Sequence, residues 1–249
     1  MIAAHPGHEF SVLGWVRASR PPVAVLTDGS GSGEAGRIEL TDDVLDAAGC
    51  PRATVYGEFT DKRVYEAILG GDASLFLGVA QRLADWLVQE RIDLVASDAA
   101  EGYNPTHDLC AAIAGRATRL AAQASGRTVE HYTFPLLGAP SPENPPPEAL
   151  SLQLDPSGLA DKLAEVRRYA ALAGGALVDE IELIFKEYGE AAFARENFLP
   201  ANLPEAFAAF GRKAPFYEAY GEKHVAAGRF SEVIRFRNHI EPLVNALAN

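Results

Sequence analysis

Apolar and amphipathic segments alternate along the first 135 or so residues of the chain. Short apolar runs predict strands, and longer stretches with apolar residues at helical spacing predict helices. The predicted strands cover residues 1–4, 23–27, 53–59, 92–97 and 128–134. The predicted helices cover residues 10–18, 40–48, 64–68, 73–89 and 109–124. This repeated alternation is typical of a mostly parallel sheet between two helical layers, so we predict a three-layer α/β fold.

The pattern changes after residue 137. Residues 138–150 contain a run of prolines, which predicts an extended connector, with a proline-rich ligand for another protein as the alternative. Beyond it no strand pattern is recognisable, and helices are predicted over 159–172, 177–188, 216–227 and 231–247. We therefore divide the chain into a sheet domain (1–137), a connector (138–150) and a helical C-terminal region (151–249) that packs on the same domain.

Composition excludes several classes of protein. The 249 residues contain 22 Lys+Arg against 34 Asp+Glu, a formal net charge of −12, which argues against binding nucleic acid or anionic membranes. No apolar run is long enough to span a membrane and no signal sequence is recognisable, so we expect a cytoplasmic protein. Cys50 and Cys110 are expected to be small core residues. The first strand is short for the centre of a sheet, and we expect the natural start to lie slightly upstream.

Half of the six histidines follow predicted strands. His5 and His8 lie in one tight turn after the first strand, and His107 follows the fourth. Ligands of parallel sheets bind beyond the carboxyl ends of the strands, and the first and fourth strands can be neighbours. Three imidazoles with one open position are typical of a catalytic zinc site. The alternative is that these are ordinary core or surface histidines that bind no metal.

Three short motifs carry a resemblance to a known family. They are HPGHE at residues 5–9, LTDG at 26–29 and NPTH at 104–107, each after a predicted strand. In this order they resemble the PIG-L/LmbE-like zinc de-N-acetylases, whose first motif is usually HPDDE and whose last is HPDH. The resemblance covers residues 1–135. It implies a Rossmann-like fold, a zinc ion, and removal of acetyl groups from N-acetylglucosamine-type substrates.

The resemblance assigns roles to individual residues. The metal ligands fall on His5, His8 and His107, with His8 in place of a family aspartate, which makes the site more positive. The substrate-binding positions fall on residues in the loops after the second and third strands: Asp28, Arg37 and Asp61.

The departures from the family concern proton transfer. Gly7 stands where the family has its general base, Asn104 where it has a histidine, and Thr106 where it has an aspartate. General acid–base catalysis contributes typically ~10²–10⁴ in rate, so a replacement is required for ordinary amide hydrolysis. The candidate catalytic residues are Glu9, Asn104 and Asp108. Glu9 also fits a supporting role in the loop, and Asp108 a helix cap. Polar and aromatic groups of the C-terminal helices are further candidates: Tyr217, Tyr220, His224, Arg229, Arg235 and His239.

Three functions are compatible with these motifs. The first is a divalent-metal (zinc) hydrolase of the de-N-acetylase type that acts on a small amino sugar or its conjugate. The second is a non-hydrolytic descendant, a pseudoenzyme that binds metal or sugar. The third is a nucleotide-dependent enzyme, since residues 31–36 match G-x-G-x-x-G and Glu58 is suitably spaced to bind a ribose. Both a monomer and a homo-oligomer are compatible with the sequence.

Overall fold

A seven-stranded mixed sheet forms the centre of the computed structural model, which describes residues 1–31, 35–137 and 145–249 except the side chains of 175, 176 and 180. The strands are β1 (Ile2–Ala3), β2 (Val23–Thr27), β3 (Arg52–Phe59), β4 (Leu94–Asp98), β5 (Glu130–Phe134), β6 (Leu150–Gln153) and β7 (Arg195–Pro200). Their spatial order is β3-β2-β1-β4-β5-β7-β6. The first five strands are parallel, and β7 and β6 are added antiparallel at one edge.

Helices cover both faces of the sheet. In the described ranges they are α1 (Leu13–Ser19), α2 (Ile38–Ala48), α3 (Asp61–Leu69), α4 (Ala73–Gln89), α5 (Pro105–Ser125), α6 (Pro156–Ala173), α7 (Gly175–Tyr188), α8 (Leu203–Arg212), α9 (Phe216–Ala226) and α10 (Glu241–Ala248). A 3₁₀ turn over His8–Val12 precedes α1. The predicted α/β fold is therefore confirmed. None of the described helices is long and apolar enough to cross a membrane.

The core is built on both faces of the parallel strands. Side chains alternate across a strand, and in β1 and β2 both sets are apolar. Ile2 and Leu26 face a core shared with α4, α5 and α10, whereas Ala3 and Val25 face the core on the α1 and α2 side. Cys110 and Cys50 lie in these two cores as buried free thiols, as predicted.

The C-terminal region is not purely helical, so that part of the prediction is wrong. β7 pairs with β5, and β6 pairs with β7, so the sheet continues beyond the connector. The helix α8 was also missed. β6 is mostly exposed and β7 ends in proline, so neither strand has the continuous apolar run that marks a central parallel strand. Residues 138–144 of the predicted connector, and 32–34 of the glycine-rich loop, lie outside the described residues.

The order in which strands are added to the sheet reverses between the parallel neighbours β1 and β4. From β1 the sheet extends through β2 to β3 on one side, and β4 then begins the other side, with Ile2 paired to Ser97. The crevice at such a switch point, beyond the carboxyl ends of the strands, is the usual ligand site of open α/β sheets. The neighbouring positions predicted for the first and fourth strands are confirmed, and His5, His8 and His107 follow these two strands.

A buried ion pair ties the C-terminal region to the beginning of the chain. Lys162 of α6 lies 2.8 Å from Glu196 of β7, and both side chains are nearly inaccessible to solvent. The Glu196 carboxylate also accepts the backbone N–H groups of Gly14 (2.8 Å) and Trp15 (2.7 Å) of α1. Lys162 donates to the carbonyl of Ser11 (2.9 Å). The start of α1, α6 and β7 therefore share one polar network inside the fold.

This network predicts a large effect of Glu196→Ala. The substitution would leave the Lys162 ammonium buried without its counter-ion and two backbone N–H groups buried without partners, and removal of one partner of a buried pair destabilises by roughly 3–5 kcal/mol. Glu58→Ala is the matched control, because Glu58 pairs with Arg82 at the surface, where pairs contribute about 0–1 kcal/mol. Denaturant unfolding of both variants measures the difference. Equal losses of unfolding free energy would contradict the assigned role of Glu196.

His131 predicts a dependence of stability on pH. Its Nε2 lies 2.8 Å from Ser97 Oγ between β5 and β4, and burial, followed by the charge of Arg119, lowers its pKa to about 4. The folded state therefore binds the proton more weakly than the unfolded state. The contribution of neutral His131 is complete above about pH 6.5 and is lost as the pH falls towards 4, with an upper limit of about 3 kcal/mol. His131→Gln should reduce this loss, measured as unfolding free energy between pH 7 and 4.

Candidate functional site

The loop after β1 turns sharply and holds two of the predicted ligands. Gly7 adopts φ +98°, a conformation that favours glycine, and the 3₁₀ turn begins at His8 directly after it. Glu9 fixes this turn from inside. Its carboxylate accepts the backbone N–H of Gly7 (2.9 Å) and the hydroxyl of Thr41 (2.8 Å). Glu9 is fully buried, and burial raises its pKa to about 7.

Three histidines meet at the switch point. The ring centroids of His5 and His8 are 5.3 Å apart, those of His5 and His107 5.0 Å, and those of His8 and His107 4.5 Å. The structure thus brings together the three residues that the sequence indicated as metal ligands, from the segment after β1 and from the first turn of α5, about 100 residues apart in the chain. Each ring lies edge-on to the other two.

Oxygen atoms of neighbouring side chains lie against the Nδ1 atoms of two of these rings. His8 Nδ1 lies 2.9 Å from Asp98 Oδ2, and the same oxygen accepts the backbone N–H of Ala4 at 2.8 Å. His5 Nδ1 lies 2.7 Å from Thr27 Oγ1 and 3.0 Å from Asp61 Oδ1. A partner at Nδ1 fixes the ring orientation and leaves Nε2 as the atom that faces other groups.

Burial controls the protonation of the cluster. It lowers the pKa of His8 well below its usual value, with further contributions from the neighbouring His5 and Arg37. The pKa of His107 is lowered in the same direction by burial and by the other two histidines. At neutral pH these two rings are therefore neutral. His5 Nε2 is buried and has no hydrogen-bond partner, which is rare for a buried nitrogen.

The carboxylates of the site respond differently to burial. Asp98 is completely buried, and this raises its pKa to about 7. Burial also favours protonation of Asp61, but the hydrogen bond and charge of His5 outweigh it and lower the pKa of Asp61 to about 2. The Asp61 carboxylate is therefore ionised at neutral pH and lies against Nδ1 of His5. Across the described part of the chain, no group of three or more His, Cys, Asp or Glu side chains has the arrangement of a metal-binding site.

His107 belongs to a helix rather than to the preceding loop. The predicted start of α5 at Leu109 is wrong, because Asn104 caps the helix and Pro105 opens it. The side-chain oxygen of Asn104 accepts the N–H of Thr106 (2.8 Å), and its amide nitrogen lies 3.3 Å from the hydroxyl of Tyr65. Asn104 is therefore already occupied on its oxygen, while its amide keeps donor capacity.

Asp108 points back into the loop before α5. Its Oδ1 accepts the backbone N–H of Gly102 at 3.0 Å, and burial raises its pKa to about 8. Its other oxygen is buried without a partner, as is the hydroxyl of Tyr217, whose pKa is raised by burial and by Asp108. Asp108 thus lies beneath the loop, next to α9.

Arg37, at the end of the loop after β2, and Asp61, the first residue of α3 after β3, both lie near the histidines. Asp61 accepts the backbone N–H of Gly31 and is itself buried. Arg37 Nε is buried and has no hydrogen-bond partner. Asp28 instead closes its own loop, because its Oδ1 accepts the N–H of Ser30 (2.9 Å) and its carbonyl accepts that of Arg37 (2.6 Å). No contact joins Asp28 to the histidines among the described residues.

The dinucleotide motif does not lead to a helix as the alternative required. The helix α2 begins at Ile38, after Arg37 rather than inside the glycine run, whose residues 32–34 lie outside the described part. Glu58, the suggested ribose ligand, forms an ion pair with Arg82.

A tyrosine from α6 fills the space beside Gly7. A Cβ atom built on Gly7 would lie 3.0 Å from Cε1 of Tyr169 and 3.1 Å from its hydroxyl oxygen. Tyr169 is 3% exposed, packs edge-on against Phe10, and its hydroxyl has no hydrogen-bond partner. Beyond the apolar periodicity of α6, no pattern in the sequence indicates this neighbour. A side chain at position 7 is thus disfavoured both by the backbone conformation and by this ring.

Comparisons with known proteins identify the fold. No family model matches the chain, and no curated protein matches it. Solved structures do: teicoplanin deacetylase Orf2, in a zinc-inhibited form, has 14% identity and a TM-score of 0.51 over 80% of this chain and 96% of its own. A second structure of a deacetylase of teicoplanin biosynthesis has 16% identity and a TM-score of 0.52 over the same shares. A conserved protein of Thermus thermophilus has 19% identity and a TM-score of 0.52 over 80% and 92%.

The contact between Gly7 and Tyr169 can be tested by Gly7→Ala. The added methyl meets the Tyr169 ring as well as an unfavourable φ, and overpacking costs typically about 1–3 kcal/mol. Gly71→Ala is the matched control, since Gly71 has φ +63° with nothing within 4 Å of the added Cβ. Tyr169→Leu removes the contacting ring atoms, so the effect of Gly7→Ala should shrink in that background. Unfolding free energies of the single and double variants measure this coupling, and strictly additive effects would contradict the contact.

Proposed function

We propose that this protein is a divalent-metal hydrolase of the de-N-acetylase type, related to the PIG-L/LmbE-like enzymes, that acts on an amino sugar or its conjugate. The observation that carries the proposal is the meeting of His5, His8 and His107 at the switch point of the sheet. The structural likeness to deacetylases supports it, because it is a likeness of the fold that carries this crevice.

The donor set fits a metal such as zinc. Neutral imidazoles are good zinc ligands, and carboxylates bound to their other nitrogen are the usual second partners of such ligands. His5 Nε2 is buried without a partner, and burial favours neutral rings in His8 and His107. Since no three side chains of the described residues already have metal-site geometry, we propose that the rings adjust on binding. A metal bound there would supply Lewis acidity towards the acyl carbonyl and towards water.

Three other groups are suited to binding the substrate. Arg37 Nε and the Tyr169 hydroxyl are buried donors without partners, and both lie next to the loop of residues 5–9. Asn104 retains amide donor capacity at the start of the helix that carries His107. Buried donors of this kind are stabilised by an acceptor from a ligand, and donors aimed at a developing oxyanion stabilise it. In this proposal Asp61 orients His5, and Asp28 shapes the loop.

Glu9 and Asp108 serve as positioning residues in this proposal. The Glu9 carboxylate is enclosed and hydrogen-bonded to Gly7 and Thr41, so it holds the loop in place and does not reach a substrate. Asp108 holds the loop before α5 through Gly102. No carboxylate in the described residues is both free and next to the histidines. Proton transfer is therefore the weakest part of the catalytic apparatus.

Tyr169 favours a second candidate function. The position from which a base would act is filled by a phenol whose pKa is raised by burial, and such a group donates a hydrogen bond rather than accepting a proton. We propose as the alternative a non-hydrolytic descendant that binds metal and a sugar-like ligand in the same crevice. Loss of general base catalysis alone reduces rates typically ~10²–10⁴-fold.

Metal analysis with activity measurements tests both proposals. We expect the wild type to bind one zinc ion, and His5→Ala, His8→Ala and His107→Ala to lose it. Asp98→Asn should weaken metal affinity about 10–100-fold, because it removes the carboxylate that orients His8. His131→Gln is the matched control and should bind metal normally, since His131 lies away from the cluster against Ser97.

The same samples are assayed for acetate release from N-acetylglucosamine conjugates. Metal binding with metal-dependent acetate release supports the hydrolase. Stoichiometric metal without acetate release, but with thermal stabilisation by the conjugates, supports the non-hydrolytic alternative. A wild type that binds no metal would overturn the metal centre in both.

A further inference from the structure

An exposed strip of aromatic rings extends from the candidate site along α9. It consists of Tyr103, Phe216, Tyr220, His224 and Phe230, and we call it the aromatic strip. Tyr103 and Phe216 are stacked, with centroids 5.0 Å apart and planes 4° from parallel. Phe216 and Tyr220 are 6.0 Å apart, Tyr220 and His224 4.2 Å, and His224 and Phe230 4.9 Å. The rings therefore form a continuous row.

The aromatic strip is unusual for the surface of this protein. Tyr103, Phe216, Tyr220 and Phe230 are between 36% and 53% exposed. Within the described residues they are the only large aromatic side chains exposed to this extent. Single exposed apolar residues need no explanation, but a contiguous exposed patch marks an interaction site.

The aromatic strip is joined to the candidate site by backbone and side-chain contacts. Tyr103 directly precedes Asn104, which caps the helix that carries His107. The carbonyl of Gly102 accepts the backbone N–H of Phe216 at 2.7 Å, which fixes α9 against this loop. Asn104 also contacts the hydroxyl of Tyr65. The strip therefore begins at the residue before the cap of the helix that carries His107.

The side chains of the aromatic strip indicate the chemical class of molecule that it can bind. The two glutamates of α9, Glu218 and Glu222, both bind Arg235. The rings stack partly on one another, and their exposed aromatic surface lies beside the polar hydroxyl of Tyr220 and the imidazole of His224, whose buried Nδ1 has no hydrogen-bond partner. Sugar rings combine an apolar face with a rim of hydroxyls, which fits this surface. Nucleic acids also stack on aromatic rings, but they need a basic groove, and this chain carries a net charge of −12.

We propose that the aromatic strip is a binding subsite for the additional sugar rings of an oligosaccharide or glycoconjugate whose reacting unit lies at the histidine cluster. This inference rests on the proposed function and extends it, because it assigns a substrate larger than a monosaccharide. The strip would bind the non-reacting rings, and such remote contacts contribute affinity that a truncated substrate lacks.

Calorimetric titration with two probes tests the subsite. N-acetylglucosamine and its β-1,4-linked tetramer are titrated into the wild type, the double variant Phe216→Ala/Tyr220→Ala, and Leu183→Ala. Leu183 is the matched control, an exposed apolar residue on α7. We expect the tetramer to bind the wild type and Leu183→Ala at least tenfold more tightly than the monomer. The double variant should lose most of this difference and retain its affinity for the monomer.

The outcomes separate this inference from the proposed function. His5→Ala is titrated as well, and retained tetramer binding in this variant would support the strip independently of the metal centre. A wild type that binds the tetramer through the strip but holds no metal and releases no acetate would support the strip while contradicting the hydrolase. Equal affinities for monomer and tetramer, or an unchanged tetramer affinity in the double variant, would overturn the subsite. Light scattering is run in parallel, because a wild-type dimer that the double variant converts to monomer would assign the strip to a second copy instead. Both substituted side chains are exposed, so an unchanged unfolding midpoint verifies that the variant is folded.

Discussion

The buried carboxylate of Asp98 is the interaction on which the candidate site depends. Asp98 lies at the end of β4, beside the end of β1, at the point where the strand order of the sheet reverses. Burial of a charged or polar group without partners is costly, so its Oδ2 is satisfied by the N–H of Ala4 and by Nδ1 of His8. The same two contacts fix the first turn of the loop after β1 and the orientation of its second histidine. One oxygen atom therefore connects the end of β1 to the second histidine of the site, while Oδ1 of the same carboxylate is buried without a hydrogen-bond partner.

The features that could be predicted from the sequence are those set by local pattern. β2 and α4 were predicted with the observed bounds. A short apolar run indicates a buried strand, and a long run with apolar residues at helical spacing indicates an amphipathic helix. The meeting of His5, His8 and His107 followed from the rule that places loops of parallel strands at one edge. β6 and β7 could not be predicted, since β7 pairs with β5 far away in the chain, β6 is a mostly exposed edge strand, and neither has the continuous apolar run of a central parallel strand.

Long-range contacts also decide the roles of the carboxylates. In the sequence, Glu9 and Asp108 are both candidate catalytic residues, since each is adjacent to a histidine. The structure distinguishes them by what their oxygens contact: Glu9 holds Gly7 and Thr41, and Asp108 holds Gly102. Asp98, which sequence reasoning left without a role, lies instead against His8. The spacing of residues in the sequence indicates which of them can lie close together. Burial and hydrogen bonding determine the pKa of each group, and therefore whether it can donate or accept a proton.

The C-terminal region therefore completes the site rather than merely covering it. Tyr169 of α6 occupies the space beside Gly7, and α9 places its aromatic rings next to the loop before Asn104. The parallel strands supply the histidines, while the later helices set what lies beside them. A larger side chain at position 7 would require the Tyr169 ring to move and would be strained at a φ of +98°. Because these two conditions are linked through packing, the side chain that this loop can carry at position 7 depends on two regions of the chain and not on one residue.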